Sequence, residues 1–166
     1  MGLKLTGGTA MSHITQNLTG TCVGMVLCLC IPLASANLGA SDDSATDDPS
    51  FQEGKAAIEA QNWAGAIEIL ERTAEAYPDS ADTHNFLGYA YRKSGDLDVA
   101  LRHYQRALEI DPVHKHAHEY LGEAYLMKDD LAGAQQHLAE LAKICTPIPC
   151  EEYRELKRAV DEFKKK

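Results

Sequence analysis

Three glycines recur at a fixed interval along the chain, and this interval restricts the folds that are open to it. Gly54, Gly88 and Gly122 are evenly spaced, with a period of about 34 residues. An alanine follows each glycine at a constant offset, and these alanines are Ala66, Ala100 and Ala134. Such a period is typical of a helix pair that cannot bury its apolar face alone and therefore stacks on its neighbours. The sequence predicts an all-α solenoid of repeated helix pairs.

The second repeat, residues 81–114, shows the pattern most clearly. Leu87, Gly88 and Tyr91 fall on its first predicted helix. Its second predicted helix carries Ala100, Tyr104 and Ala107. Gly95 provides a turn residue that adopts positive φ without strain. Pro112 ends the second helix, because proline has no N–H to donate and clashes with the preceding turn.

These residue types at these offsets resemble the tetratricopeptide repeat. The third unit, residues 115–145, repeats them with Leu121, Gly122 and Tyr125, whereas the first unit, about 47–80, has Glu53 and Ala57 where the pattern has Leu and Tyr. Terminal repeats are often atypical because one face meets water. The resemblance covers roughly residues 49–145, and it implies an α-solenoid of three helix–turn–helix repeats.

Residues 1–36 lie outside the repeats and have the pattern of a secretory signal peptide. An apolar run over 23–33 precedes Ala34-Ser35-Ala36, so we expect cleavage after Ala36 and a periplasmic or secreted protein with no membrane insertion. The run is shorter than the roughly 20 residues of a comfortable span. Retention as an uncleaved membrane anchor, or lipid attachment at a cysteine of this region, stays open. Residues 37–48 are polar and acidic and predict a flexible linker.

Two cysteines follow the last repeat, in the segment CTPIPC. An even pair in an exported chain favours a disulfide between Cys145 and Cys150. A redox-active or metal-binding pair is the alternative. The disulfide would tie a capping helix within residues 146–166 to the third repeat. That helix carries an apolar stripe at helical spacing, made of Tyr153, Leu156, Val160 and Phe163.

The histidine run His114, His116 and His118 is the strongest candidate for a metal site. Its spacing is poor for chelation, because His116 points away from the other two on a helix. His84 and His118 occupy one repeat position, and His103 and His137 another. Equivalent positions in neighbouring repeats are roughly 10 Å apart, too far to share one ion. We therefore expect no metal and no cofactor.

Charge and motifs argue against several functions. Sixteen Lys and Arg face 25 Asp and Glu, a formal net charge of −9. Nucleic-acid binding needs clustered basic residues, and the only cluster is the terminal 164–166. His118-Glu119 does not begin a zinc-protease motif, because Gly122 stands where the second histidine belongs. The chain also lacks a nucleophile elbow and a phosphate-binding glycine loop, so we expect no enzyme activity.

The resemblance implies a concave groove lined by the first helix of each repeat. The usual groove positions fall on Phe51, Lys55, Ile58, Asn85, Tyr89, Arg92, Glu119, Glu123 and Leu126. Aromatic residues and arginine often dominate binding energy, although Phe51 and Tyr89 could instead pack between helices. The carboxylate clamp that grips chaperone C-termini is matched only at Lys55, so recognition of such tails is not expected.

The sequence therefore predicts a non-enzymatic interaction module of the bacterial cell envelope, which holds a peptide or protein segment in its concave groove. The segment HKHAHEYLGEAYL and the linker before its last helix also resemble small exported single-domain repeat proteins of Gram-negative bacteria. The alternative is a metal- or redox-linked periplasmic module that uses the histidine run or the Cys145 and Cys150 pair.

Overall fold

The structure, a computed structural model, describes residues 43–166. The predicted signal peptide and residues 37–42 of the predicted linker lie outside this range. The described part contains a short 3-10 helix, Asp43–Ala45, and seven α-helices. They are α1 (Pro49–Glu59), α2 (Trp63–Ala76), α3 (Ala81–Ser94), α4 (Leu97–Ile110), α5 (Lys115–Met127), α6 (Leu131–Ile144) and α7 (Glu151–Phe163).

The first six helices pack as three consecutive pairs, α1 with α2, α3 with α4 and α5 with α6. Each second helix also packs on the first helix of the next pair, which joins the pairs into one array. No strand occurs within residues 43–166. The predicted all-α solenoid is confirmed. None of the helices in this range is long and apolar enough to cross a membrane.

The second helix of every pair begins at the same kind of capping residue. The side chains of Asn62, Asp96 and Asp130 accept hydrogen bonds from backbone N–H groups three residues ahead, at 3.2, 3.2 and 2.9 Å. These bonds satisfy donors that have no partner inside the helix. Asp48 also caps α1, with Pro49 at the first helical position. The three second-helix caps recur at the interval of the glycines, so the period of the sequence is also the period of the backbone.

The turn inside each pair needs a residue in the left-handed conformation. Gln61, Gly95 and Asp129 occupy this equivalent position, with φ of 57°, 98° and 60°. Glycine adopts positive φ without steric cost, whereas other residues are strained there. Only the second repeat has the residue that the turn favours.

We expect Gln61→Gly to stabilise the protein by about 0.5–1 kcal/mol, because it relieves this strain at an exposed turn. Thermal unfolding followed by circular dichroism measures the effect. Exchange of the exposed neighbour Ala60 for glycine is the matched control, and it should not stabilise, since Ala60 has ordinary helical φ. A lower melting temperature for Gln61→Gly would contradict the assignment.

The repeated glycines mark the closest helix contacts. A Cβ at Gly54 would lie 2.6 Å from Leu70, and one at Gly88 would lie 2.6 Å from the Tyr104 ring. Both contacts join the two helices of one repeat, as the sequence predicted for the second unit. At Gly122 the nearest side chain is Leu156 of α7, also at 2.6 Å. The third repeat thus makes its closest approach to the capping helix.

Helix α7 packs against both α5 and α6. Leu156 and Val160 from the predicted stripe are almost fully buried, next to Leu141 and Ala134 of α6. Cys145 and Cys150 are joined in the structure, with Cα atoms 5.4 Å apart. The oxidation state of this pair in the native protein stays a prediction.

Residues 43–48, which we expected to belong to a flexible linker, pack onto the first repeat. Ala45 is fully buried. Asp48 Oδ2 accepts a hydrogen bond from the Tyr77 hydroxyl at 3.0 Å, and Gln52 Nε2 donates to the Thr46 carbonyl at 2.6 Å. The polar composition of this segment hid the small apolar side chain that anchors it.

Candidate functional site

The first helices of the three repeats enclose a cavity of about 410 Å³, here called the α1–α3–α5 cavity. Three predicted groove residues line it: Phe51, Lys55 and Asn85. Other lining residues include Asp82, Phe86, His116 and Tyr120. Sequence reasoning did not place these four in the predicted groove. Their position on the first helices, close to the predicted groove positions, was the available signal.

Two aromatic rings form the apolar part of this cavity. Phe51 and Phe86 pack edge to face, with ring centroids 5.5 Å apart and planes at 78°. The Lys55 Nζ lies 5.9 Å from the Phe51 centroid and 5.6 Å from that of Phe86. Phe51 is also part of a core cluster with Leu70 and Leu87. The alternative that Phe51 packs between helices is therefore correct, and Phe51 still contributes to the cavity wall.

Asn85 is the polar residue that distinguishes this cavity. Its side chain is 3% exposed, and no residue within 43–166 donates a hydrogen bond to its Oδ1. A buried amide oxygen without a partner costs about 1–3 kcal/mol. Such groups are uncommon in native structures and often mark functional sites. The oxygen has almost no accessible surface in this conformation, so a rotation of the terminal amide, which is a soft torsion, would bring it to a ligand N–H in the cavity.

The α1–α3–α5 cavity is lined by an acidic and a basic side chain, Asp82 and Lys55. Asp82 Oδ1 lies 3.0 Å from His114 Nε2, and this hydrogen bond holds the pKa of Asp82 below its ordinary value. Asp82 is therefore ionised and already paired. Lys55, in contrast, makes no ion pair within the described residues. Its ammonium group is available to a ligand.

Arg92, one of the predicted groove residues, is held by contacts inside the protein, and its contact with a partner stays a prediction. Its Nη1 donates to Glu123 Oε2 at 2.6 Å and its Nε donates to the Tyr104 hydroxyl at 3.2 Å. The guanidinium lies 5.3 Å from both the Tyr89 and Tyr120 centroids, and its side chain is 9% exposed. The sequence could not reveal this, because the partners come from three helices.

The remaining predicted groove residues lie apart from the α1–α3–α5 cavity. Glu123 and Leu126 line a second cavity of about 320 Å³, together with Arg92 and residues of α7. Tyr89 packs edge to face with Trp63, with centroids 6.2 Å apart, and against Tyr120 at 5.3 Å. Ile58 packs on the core cluster of the first repeat. Helix α7 packs on the third repeat, and several of the predicted groove residues are therefore distributed over two separate cavities.

Glu119 lies under α7 and is 9% exposed. Burial, followed by the charges of Glu123, Glu152 and Glu155, raises its pKa to about 7. A raised pKa favours the protonated folded form, so stability falls as pH rises from about 4.5 through 7. Ionisation of this carboxyl above about pH 7 therefore lowers the stability of the fold.

We expect Glu119→Gln to stabilise the protein by about 1–2 kcal/mol at pH 8, less than the full shift implies because one edge of the site is open to water. The gain should disappear near pH 5, where Glu119 is protonated. Urea unfolding at pH 5 and pH 8 measures it, and the exposed Glu53→Gln is the control. An equal effect at both pH values would contradict the raised pKa.

The histidine run does not form one cluster. His114 caps α5 and its Nδ1 accepts from the Ala117 N–H at 3.1 Å. His116 is exposed and lies 3.7 Å from Glu152, whereas His118 contacts His137. Residues 43–166 contain no group of three or more His, Cys, Asp or Glu that could hold a metal ion. The part of the alternative function that rested on this run has no geometric support.

The comparisons with known proteins agree with the period of the sequence. The family description "Tetratricopeptide repeat" matches residues 51–113 and 87–147. No curated protein matches the chain at a significant level. Among solved structures, a double mutant of MamA from RS-1 is 26% identical with a TM-score of 0.56. The match covers 57% of this chain and 53% of that one, so the chain spans about half of this relative.

Two further structures match over most of their length. The TPR2B domain of yeast Sti1, in complex with pHsp70, is 20% identical with a TM-score of 0.66, over 73% of this chain and 96% of that one. The type III secretion chaperone SycD of Yersinia enterocolitica, in complex with a peptide of the translocator YopD, is 17% identical with a TM-score of 0.62. That match covers 75% of this chain and 92% of the other. At these identities the likeness supports the fold.

Proposed function

The chain belongs to the tetratricopeptide repeat family, and on this basis we propose that it is a non-catalytic interaction module that holds an extended peptide segment in the α1–α3–α5 cavity. The similar domains of yeast Sti1 and Yersinia SycD were solved with pHsp70 and with a translocator peptide. Those complexes make a peptide ligand the natural class to test. The observation that carries the proposal is the buried Asn85 amide, whose Oδ1 has no partner within residues 43–166.

The lining of the cavity indicates the chemistry of the segment. An extended peptide has a backbone N–H at every residue except proline, and one of them would donate to the Asn85 oxygen once the terminal amide has rotated towards the cavity. An apolar side chain of the peptide would pack on the Phe51 and Phe86 rings. Lys55 would pair with an acidic side chain or terminal carboxylate near it. The segment we propose is therefore extended, with an apolar residue next to an acidic one.

The test is a random peptide display selection on the purified protein, followed by fluorescence anisotropy with the selected peptides. Asn85→Leu keeps the side-chain volume and removes the amide. We expect it to weaken binding at least tenfold. Because it also removes a buried unpaired polar group, the melting temperature should stay equal or rise. Loss of binding therefore cannot be explained by unfolding.

Gln135→Leu is the matched control, since it replaces an amide side chain by leucine at an exposed position of α6. It should leave binding unchanged. Selected peptides that bind Asn85→Leu as tightly as the natural protein would overturn the proposal. A selection that yields no binder would also overturn it.

We also propose that the module works in the cell envelope. The apolar run that ends in Ala34-Ser35-Ala36 and the even cysteine pair support this location. The intact mass of the native protein, measured without reductant, tests both features together. We expect a chain that begins at Asn37 and is two protons lighter than its reduced form. A native chain that keeps residues 1–36 would contradict cleavage.

A further inference from the structure

Four of the histidines form two matching pairs, which sequence reasoning missed. His84 Nδ1 lies 3.2 Å from His103 Nδ1, and His118 Nδ1 lies 3.0 Å from His137 Nδ1. Each pair joins the first helix of a repeat to the second helix of the same repeat. The signal in the sequence was the spacing within each pair, which is the same in both units.

The outer nitrogen of one ring in each pair is fixed by a backbone carbonyl. His84 Nε2 lies 3.2 Å from the Pro78 oxygen, and His118 Nε2 lies 3.0 Å from the Pro112 oxygen. A carbonyl oxygen only accepts, so Nε2 carries the proton and Nδ1 keeps its lone pair in the neutral ring. Imidazoles that bind metals have this same arrangement, with the second nitrogen donating to a carbonyl or carboxylate.

The second ring of each pair is held by a stacked tyrosine. Tyr91 lies parallel to His103, with centroids 5.4 Å apart and planes at 7°. Tyr125 lies parallel to His137, at 5.7 Å and 11°. The tyrosine hydroxyls are fixed in turn, by Glu71 in one unit and Gln105 in the other. Both rings of a pair are therefore oriented before any ligand arrives.

We propose that each histidine pair chelates one late first-row divalent metal ion, such as Zn²⁺ or Cu²⁺, through its two Nδ1 atoms. When two nitrogens each lie about 2.1 Å from one ion and the N–metal–N angle is about 90–109°, the nitrogens are roughly 3.0–3.4 Å apart. Each pair is joined by a hydrogen bond between its two Nδ1 atoms and already has this separation, and the ion would replace the bonding proton. Imidazole is a favoured ligand of these metals. On binding, the Nδ1 proton of His103 or His137 moves to the Nε2 of the same ring, and water completes the coordination.

The proposal predicts a stoichiometry of two ions per chain. The purified full-length protein would be equilibrated with Zn²⁺ by dialysis, and bound metal measured by inductively coupled plasma mass spectrometry. His103→Gln and His137→Gln should each lower the value to one, and the double variant should bring it to zero. Glutamine retains a donor for the remaining histidine, and circular dichroism verifies that each variant is folded.

His116→Asn is the control, because His116 is exposed and outside both pairs. It should leave two ions bound. Long-range ¹H–¹⁵N spectra of the natural protein give a readout that needs no variant. Zn²⁺ should shift the Nδ1 resonances of all four paired rings and leave the Nε2 resonances of His84 and His118 in place, while Nε2 of His103 and His137 takes the shift of a protonated nitrogen. Bound metal that persists in the double variant, or that is lost in His116→Asn, would overturn the proposal. An absence of bound Zn²⁺ would do the same.

Discussion

Gly88→Leu destabilises the protein by about 3 kcal/mol or more and lowers its melting temperature by well over about 10 °C. A Cβ at this position would lie 2.6 Å from two atoms of the Tyr104 ring. Tyr104 is fully buried and its ring is rigid, so it cannot move aside as the end of a leucine can. The added side chain must therefore push α3 and α4 apart in the central repeat.

Lys93→Leu is the control for this experiment, because it introduces the same residue at an exposed position of α3. It should change the melting temperature by a few degrees at most. Chemical unfolding followed by circular dichroism measures both variants. A Gly88→Leu protein with unchanged stability would show that the two helices do not meet at this glycine.

Arg92→Met destabilises the protein by about 2–3 kcal/mol. It removes the ion pair with Glu123 and the hydrogen bond to the Tyr104 hydroxyl, and it leaves both partners without their donor. Methionine keeps most of the apolar stem, so the loss reports mainly the guanidinium. Glu123 is 29% exposed and can take water, which keeps the effect below that of a fully buried pair.

A double-mutant cycle with Glu123→Gln isolates the pair. We expect a coupling energy of about 1–2 kcal/mol between the two sites. Arg158→Met is the matched control, since Arg158 pairs with Glu155 at the surface and its side chain is 66% exposed. That change should cost less than about 0.5 kcal/mol. Additive effects of the Arg92 and Glu123 changes on the free energy of unfolding would contradict an interaction between these two side chains.

The fold could be predicted from the sequence because each repeat contains the same local structural features. The glycines, the helix caps and the turn positions all recur at one interval, so a single unit predicts the others. The capping helix followed from its apolar stripe. These features depend on residues that are close in sequence or that belong to one repeat, so the spacing of residues along the chain is enough to predict them.

The candidate site was less predictable, because its geometry depends on side chains from several helices. Arg92 looked like a groove residue, since its partners Glu123 and Tyr104 are distant in sequence. The histidine pairs were missed for a similar reason. Equivalent histidines of neighbouring repeats are the obvious matches in the sequence, whereas the rings that meet lie on the two helices of one repeat. The cysteine pair and the stripe placed α7 on the third repeat, whereas its close contact between Leu156 and Gly122 of α5 could not be inferred from either.

Leu156 follows Gly122 by one full repeat period, so it occupies the position where a fourth repeat would place its glycine. Its side chain lies against Gly122, where such a unit would have no side chain at all. The array of repeats therefore ends where leucine replaces the periodic glycine at position 156. If such a protein gained repeats by gene duplication, new units ahead of α5 would leave the contact between Gly122 and Leu156 intact. An addition after α6 would displace the leucine that seals the end of the solenoid.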